Sequence, residues 1–235
     1  MMDYQEHYRI DAESFDYFDR KYQTQAERRR NEEVLHFCDA MAGETVLDLG
    51  SGRGWFSIEM AKRGCRVYAV DLSEKNLEHI RSKEPSIECR LGSAYELPFQ
   101  SERFDWIVMN EVLEHLEEPE KALEHVKQFL SPQGKLLISV PYMEKIAYSL
   151  CIHCNQLTPH NAHLHSFDMI KLRKMFRHCG LDIVKEHLYL NRILATTRLI
   201  DMLRFMPFHL WHIKDMSMNF LFGRASYVSM IAKLK

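Results

Sequence analysis

The sequence predicts an α/β fold in which a doubly wound sheet carries helices on both faces. Five short apolar runs alternate with segments of helical spacing, and strands that alternate with helices form parallel sheets. Glycines follow the first run at every second position, a strand-to-helix turn that points backbone N–H groups at a ligand. We therefore expect a binding site at the carboxyl ends of the strands.

The predicted elements follow one another in a regular order. Strands are expected at residues 45–49, 66–72, 87–91, 104–110, 135–140, 181–190 and 225–234. Helices are expected at 24–41, 55–61, 74–83 after the cap Ser73, 119–130, and from the cap Ser166 to Cys179. The chain divides into an N-terminal helical cap, residues 1–44, and a domain, residues 45–235, with an apolar insertion at about 191–224.

Composition argues against several classes of protein. The formal net charge of the 235 residues is −2, so the chain lacks the basic field that collects nucleic-acid phosphates. Its six cysteines are scattered, and its acidic, tyrosine-rich start does not resemble a secretion signal, which predicts a cytoplasmic protein without disulfides. No uncharged apolar run is long enough for a membrane span.

The glycine turn after the first strand narrows the choice of cofactor. Gly50, Gly52 and Gly54 are followed by Trp55. A phosphate-binding loop needs a Lys and a Ser or Thr that this turn does not supply. A dinucleotide fingerprint that begins at Gly50 needs a third glycine where Trp55 stands. ATP, NAD and FAD are therefore disfavoured.

With Asp48 the turn has the pattern D-x-G-x-G-x-G, which resembles motif I of the class I S-adenosylmethionine-dependent methyltransferases. The segment from Gly92 to Leu116, with Leu-Pro-Phe, the strand Phe-Asp-Trp-Ile-Val and a terminal Asn, resembles the next part of that family. The resemblance covers about residues 45–190. It implies a Rossmann-like, seven-stranded, mostly parallel sheet of order 3-2-1-4-5-7-6, whose last strand is antiparallel, and S-adenosylmethionine as cofactor.

The resemblance also implies which residues hold the cofactor. Asp71 ends the second strand about 20 residues after the glycines, where an acid accepts hydrogen bonds from both ribose hydroxyls. Many relatives have Asp where Ser93 stands, so adenine contact falls to a neutral hydroxyl and to the backbone beside it. The implied cofactor-binding residues are Asp48, Gly50, Ser51, Gly52, Gly54, Asp71, Leu72, Ser93, Ala94 and Asn110.

The histidines suggest how the reaction is catalysed. His163 or His165 is the preferred general base for a hydroxyl acceptor, with His115 behind them, because neutral imidazole accepts protons near neutral pH.

Two metal sites compete with this role but are not favoured. One is zinc at the Cys/His loop, whose two pairs lie too close together for an ordinary zinc module. Its ligands would come from Cys151, His153, Cys154, His160, His163 and His165.

The other metal candidate is a divalent site at Glu111, Glu114 and His115, which share a helical face. A similar Glu-x-x-Glu-His occurs in some quinone-type O-methyltransferases. The alternative is that these residues only order the loop. The histidines of the Cys/His loop have a similar alternative to catalysis and metal binding, in which they only cap and solvate the loop.

Two segments outside the central pattern bear on the acceptor. The insertion at 191–224 is rich in Leu, Met and Phe and punctuated by Arg192, Arg198, Arg204, Lys214 and Arg224. Such a segment can bind a lipophilic ligand or a membrane surface, or it can pack on the sheet or on a second subunit in a homodimer. The N-terminal segment is expected to fold over the cofactor as a lid or to pack on the sheet edge. Its aromatic residues are Tyr4, Tyr8, Phe15, Tyr17, Phe18 and Tyr22.

Together these features predict methyl transfer by SN2 displacement to a small, lipophilic or lipid-linked acceptor, at a hydroxyl oxygen. The contrasting hypothesis is a noncatalytic protein that keeps the cofactor fold. It would bind a partner through the Cys/His loop and the insertion.

Overall fold

The computed structural model of the chain describes residues 4–14, 24–196 and 199–235. Of the residues singled out above, Phe15, Tyr17, Phe18, Tyr22 and Arg198, with the side chain of Tyr4, lie outside this description.

Nine strands are present in the described chain, and seven of them form one mixed sheet. The strands are β1 (Thr45–Leu49), β2 (Arg66–Asp71), β3 (Glu88–Leu91), β4 (Phe104–Asn110), β5 (Leu130–Pro141), β6 (Tyr148–Leu150), β7 (Leu157–Pro159), β8 (Leu181–Asn191) and β9 (Ala225–Leu234). The sheet order is β3-β2-β1-β4-β5-β9-β8, with β9 antiparallel to both neighbours. This confirms the predicted fold class. The strand numbers differ from the expected ones only because the separate hairpin of β6 and β7, which the sequence did not predict, takes two of them.

Helices cover both faces of the sheet. They are α1 (Tyr4–Ser14), α2 (Gln25–Phe37), α3 (Trp55–Lys62), α4 (Glu74–Lys83), α5 (Pro119–Val126), α6 (Met169–His178), α7 (Arg192–Thr196), α8 (Leu199–Met202) and α9 (Phe208–Phe222). Buried side chains of α5 and α6 pack on one face, and those of α2, α3, α4 and α9 pack on the other. The sheet is therefore buried from both sides, as expected for parallel strands.

Predicted boundaries are wrong at three helices. α5 ends at Val126 instead of residue 130, because residues 127–129 form a 3₁₀ helix and β5 begins at Leu130. Ser166 does not cap α6; Asp168 does, because its Oδ1 accepts a 2.7 Å hydrogen bond from the backbone N–H of Lys171. α2 ends at Phe37 instead of residue 41, since the next residue, Cys38, is already extended. These differences change only the ends of the helices, which pack on the sheet faces given above.

The insertion before the last strand forms α7, α8 and α9. Trp211 and Asp215 of α9 are buried, and the Asp215 carboxylate accepts hydrogen bonds from the backbone N–H groups of Leu190 and Asn191 at 2.8 and 2.7 Å. The opposite side of the insertion is open, with Phe220 90% exposed. Part of the insertion therefore packs on the sheet, which is one of the alternatives that the sequence offered for it. No helix of the described chain combines the length and apolarity needed to cross a bilayer.

The turn between β1 and α3 depends on glycine for two separate reasons. Gly50, Gly52 and Gly54 all have positive φ, at 73°, 51° and 73°. A Cβ on Gly54 would lie 2.4 Å from Cγ1 of the fully buried Ile80, and one on Gly50 would lie 2.5 Å from Cγ2 of Val112. Nothing lies within 4 Å of a Cβ on Gly52. Gly54 and Gly50 therefore satisfy both a backbone and a packing requirement, and Gly52 only the first.

We expect Gly54→Ala to destabilise the fold by about 2–5 kcal/mol, combining the left-handed backbone cost with overpacking. The matched control, Gly52→Ala, pays only the backbone cost of about 1–2 kcal/mol. Urea unfolding of both variants measures the difference. Equal destabilisation would show that Ile80 moves aside without cost.

Candidate cofactor and active site

Two adjoining cavities open at the carboxyl ends of β1, β2 and β4. The first has a volume of about 210 Å³ and is lined by Tyr8, Asp11, Leu49, Gly50, Gly52, Asp71, Leu72, Asn76, Gly92, Ser93, Ala94, Glu111, Val112, His115 and Leu116. The second, of about 220 Å³, is lined by Glu27, Arg30, Asn31, Asp48, Gly50, Ser51, Gly52, Arg53, Trp55, Phe56, Asn110 and Glu111. They share Gly50, Gly52 and Glu111 as a common wall. Of the candidate residues, Gly54, His163 and His165 line neither cavity.

Asp71 is held in place by groups on both sides of its carboxylate. Oδ2 accepts the Gly52 N–H at 2.7 Å, and Oδ1 accepts the Ser73 N–H at 2.9 Å and the Asn76 amide at 3.1 Å. Burial raises the pKa of Asp71, while these hydrogen bonds oppose the rise. The side chain is thus oriented towards the first cavity by the glycine turn and the start of α4. Asn76 was not anticipated from the sequence.

Asp48 lies beneath the second cavity and is almost completely buried. Its Oδ2 accepts a 2.5 Å hydrogen bond from the hydroxyl of Ser57, a partner that the sequence did not suggest. Burial, assisted by the charge of Asp71, raises the pKa of Asp48 to about 7. This carboxyl group is therefore mostly protonated only below neutral pH.

The stability of the ligand-free chain should depend on pH through Asp48. Because its folded pKa is raised from 3.8 to about 7, its contribution is fully present below pH 4 and is lost as the pH rises towards 7. The loss is at most about 1.4 kcal/mol per pH unit. Asp48→Asn, which mimics the protonated form, should remove this pH-dependent part of the free energy of unfolding when urea unfolding is measured between about pH 4 and pH 7. An unchanged pH dependence would contradict the assignment.

Five buried polar atoms of residues that line the second cavity lack a hydrogen-bond partner among the described residues: Arg30 Nε, Asn31 Oδ1, Ser51 Oγ, Asn110 Oδ1 and Glu111 Oε1. Native proteins rarely leave such atoms unpaired. The other oxygen of Glu111, Oε2, forms a 2.6 Å ion pair with Arg30 of α2. Glu111 also has a φ of 57°, a left-handed conformation that non-glycine residues seldom adopt. This wall of the cavity is built to receive a ligand with hydrogen-bond donors.

The three candidate histidines lie at different depths relative to the first cavity. His115 lines the first cavity, and His163 lies behind it, with 4.8 Å between the ring centroids. His163 Nδ1 is 2.5 Å from a carboxylate oxygen of Glu144. His165 Nε2 donates to the Leu116 carbonyl oxygen at 2.8 Å, since a carbonyl can only accept. His165 therefore secures the loop backbone.

His115 is the histidine that a ligand in the first cavity could reach. Its Nδ1 contacts the hydroxyl of Tyr8 and lies 3.3 Å from the carbonyl oxygen of Ala162. Burial, with the charge of His163, lowers the pKa of His115 to about 4, so the ring is neutral at neutral pH. A neutral ring beside a hydroxyl is suited to accept a proton.

Neither predicted metal cluster is assembled as expected. Glu111 turns towards Arg30 instead of joining Glu114 and His115. Glu114 is fully buried, and neither carboxyl oxygen has a partner in another described residue. Burial, with the neighbouring charge of Glu111, raises the pKa of Glu114 well above its usual range. A carboxyl oxygen of Glu114 lies with ring nitrogens of His115 and His163 inside a 4.8 Å cluster.

In the Cys/His loop, His160 contacts Ser149, and His163 and His165 have the partners given above. Cys154 is exposed. No three potential ligand atoms of this loop gather within the part of the chain that the structure describes.

Comparison with known proteins identifies the family. A family model described as "Methyltransferase domain" matches residues 18–186. The demethylmenaquinone methyltransferase of Renibacterium salmoninarum is 33% identical over 112 residues, 48% of this chain and 47% of that protein. The ubiquinone biosynthesis O-methyltransferase of Xanthomonas euvesicatoria is 30% identical over 155 residues, 61% of this chain and 64% of that protein. The chain thus spans about half the length of the curated relatives it matches.

The fold of the chain also has close counterparts among solved structures. The 1,6-didemethyltoxoflavin-N1-methyltransferase of Burkholderia thailandensis, solved with its substrate and S-adenosylhomocysteine, superposes with a TM-score of 0.64. The superposition covers 99% of this chain and 89% of that chain at 18% identity, which shows a shared fold. With the family match over most of its length, the glycine turn and the seven-stranded sheet, the chain belongs to the class I S-adenosylmethionine-dependent methyltransferases.

Proposed function

We propose that the chain transfers a methyl group from S-adenosylmethionine to a hydroxyl oxygen of a small, lipophilic acceptor. The observation that carries the proposal is the set of unpaired acceptors in the second cavity: Asn31 Oδ1, Ser51 Oγ, Asn110 Oδ1 and Glu111 Oε1. A ligand that brings an ammonium group there would satisfy atoms that are otherwise costly to bury. The methionine end of the cofactor carries such a group.

The two cavities suit the two ends of this cofactor. In the proposed pose, Asp71 accepts the ribose hydroxyls, beside Leu72, and Ser93 with Ala94 contacts the adenine in the first cavity. Asp48, Gly50, Ser51, Gly52 and Asn110 surround the methionine end in the second. Gly54 acts indirectly, because it allows the turn to pack on Ile80.

When bound, S-adenosylmethionine supplies an electrophilic methyl group that an acceptor oxygen attacks in line with the departing sulfur. His115 is the proposed proton acceptor. The Tyr8 hydroxyl contacts the His115 ring on the cavity side, which supports access of an acceptor hydroxyl to this ring. His163, tied to Glu144, orients His115 from behind. The apolar Val112 and Leu116 help to exclude water.

The acceptor class rests on two further observations. One relative compared above is named for demethylmenaquinone and the other for ubiquinone biosynthesis, which favours a quinone precursor as acceptor. The open side of the insertion presents Phe205, Phe220 and Leu221 beside Arg204, Lys214 and Arg224. This surface would allow a cytoplasmic protein to rest on an anionic membrane that stores such acceptors. The same surface could also join two copies in a homodimer.

Calorimetry with S-adenosylmethionine and S-adenosylhomocysteine tests the cofactor, and transfer of a labelled methyl group tests the acceptor. The acceptor panel should contain alkyl-chain catechols and naphthoquinols, with matched compounds whose hydroxyls are replaced by hydrogen. Transfer only to the hydroxylated compounds would support the proposal. Folded protein that binds neither cofactor form would overturn it in favour of a noncatalytic scaffold.

A further inference from the structure

A second group of metal-binding side chains lies away from the cofactor site, on the face of the sheet covered by α2 and α9. It consists of Glu33 from α2, His187 from β8 and His212 from α9. Glu33 Oε2 lies 3.1 Å from His187 Nε2 and 2.7 Å from His212 Nδ1. One potential ligand atom from each residue falls within 4.8 Å of the other two. The group therefore has the compactness of a metal site.

Glu33 gives an independent reason to expect a ligand. Its side chain is 0% exposed, and Oε1 has no hydrogen-bond partner among the described residues. A buried carboxylate with an unpaired oxygen is costly unless a cation compensates it. His187 and His212 are only partly buried, so an ion could enter from their side.

The charged groups near the cluster are compatible with a bound divalent cation, and no neighbouring cation of the described chain takes its place. The His36 ring lies 4.8 Å from that of His212, centroid to centroid. Lys185 adds positive charge nearby, but its ammonium group lies over the ring of Phe37, 4.5 Å from the centroid. Asp215 adds negative charge on the α9 side, although it is occupied by the backbone of β8.

We propose that Glu33, His187 and His212 bind a structural Zn²⁺ ion. Two imidazole nitrogens and one carboxylate oxygen are a ligand set that zinc accepts and that calcium or magnesium does not prefer. Zinc bonds of about 2.0–2.2 Å place tetrahedral ligand atoms about 3.3–3.6 Å apart. Glu33 Oε2 must therefore move away from the two nitrogens by about 0.5 Å. Water completes the coordination.

The ion would join three elements that are far apart in the sequence. It would tie the cap helix α2 and the insertion helix α9 to the edge strand β8. Because only the folded chain brings the ligands together, zinc binding adds to folding stability. This role is independent of methyl transfer.

The test uses the full chain, stripped of metal with a chelator and then titrated with Zn²⁺ at one fixed pH. We expect one tightly bound ion per chain and a rise in melting temperature that excess chelator reverses. Glu33→Gln, His187→Gln and His212→Asn keep the shape of each side chain. Each should weaken zinc binding by at least about 100-fold and abolish the thermal shift.

Three control variants separate this site from other candidates in the chain. His209→Gln removes an exposed histidine of the same helix, Cys154→Ser alters the Cys/His loop, and His163→Gln alters the histidine pair behind the first cavity. All three should retain one tight ion. Absence of tight binding by the folded native chain would overturn the proposal. So would tight binding that survives the Glu33, His187 and His212 variants.

Discussion

Asp71→Ala is expected to weaken binding of S-adenosylhomocysteine by about 100- to 10,000-fold. In the proposed pose its carboxylate accepts both ribose hydroxyls, and hydrogen bonds to a charged group contribute about 1.5–3 kcal/mol each. Gly52, Ser73 and Asn76 already orient both oxygens, so binding of the ligand costs little side-chain entropy at Asp71. Calorimetry at several protein concentrations measures the change.

The same variant removes three internal hydrogen bonds, so its fold must be checked separately by circular dichroism and thermal melting. Glu74→Ala is the matched control, since it removes an exposed carboxylate three residues further along. Its affinity should equal that of the native chain. Native affinity in a folded Asp71→Ala protein would show that the ribose lies elsewhere.

His115→Gln is expected to lower kcat by about 10²–10⁴-fold with a hydroxyl acceptor, the usual contribution of a general base. Glutamine retains a polar side chain near Tyr8 but cannot take up a proton. Affinity for S-adenosylhomocysteine should change little, so the loss appears in turnover. The measurement is methyl transfer at saturating cofactor, with the best acceptor from the catechol and naphthoquinol panel.

The position behind His115 gives a graded comparison. His163→Gln should reduce kcat less, because His163 acts through His115, and should shift the pH profile of the reaction. His153→Gln alters an exposed histidine of the same loop and should leave kcat unchanged. If His163→Gln proves more damaging than His115→Gln, the proposed order of the two residues is wrong.

Local sequence patterns were sufficient for much of the fold. The apolar run of β1, the glycine turn and the spacing to Asp71 depend on residues close together in the chain. The structure brings these residues to the same edge of the sheet. Even the glycines could be assigned to a tight turn, although the contact between Gly54 and Ile80 could not be foreseen.

The parts that were missed depend on contacts between distant segments. Arg30 meets Glu111 across 81 positions, and no periodicity links them. The sequence favoured His163 or His165 over His115 as the base. The position of His163 behind His115 depends on a loop that bends sharply before His163, where Asn161 and Ala162 both have positive φ. Such bends are set by tertiary packing. The zinc proposal likewise rests on residues that sequence spacing alone would never group.

Tyr8 and Arg30 stand on helices that precede the sheet, yet each touches a wall of the site. The glycine turn and Asp71 belong to the sheet and its connections. Because Tyr8 contacts His115, substitutions in α1 can change the surroundings of His115 while Asp71 keeps its hydrogen bonds to Gly52, Ser73 and Asn76. We infer that acceptor preference can diverge during evolution by changes in α1, while the contacts that hold Asp71 are inherited intact.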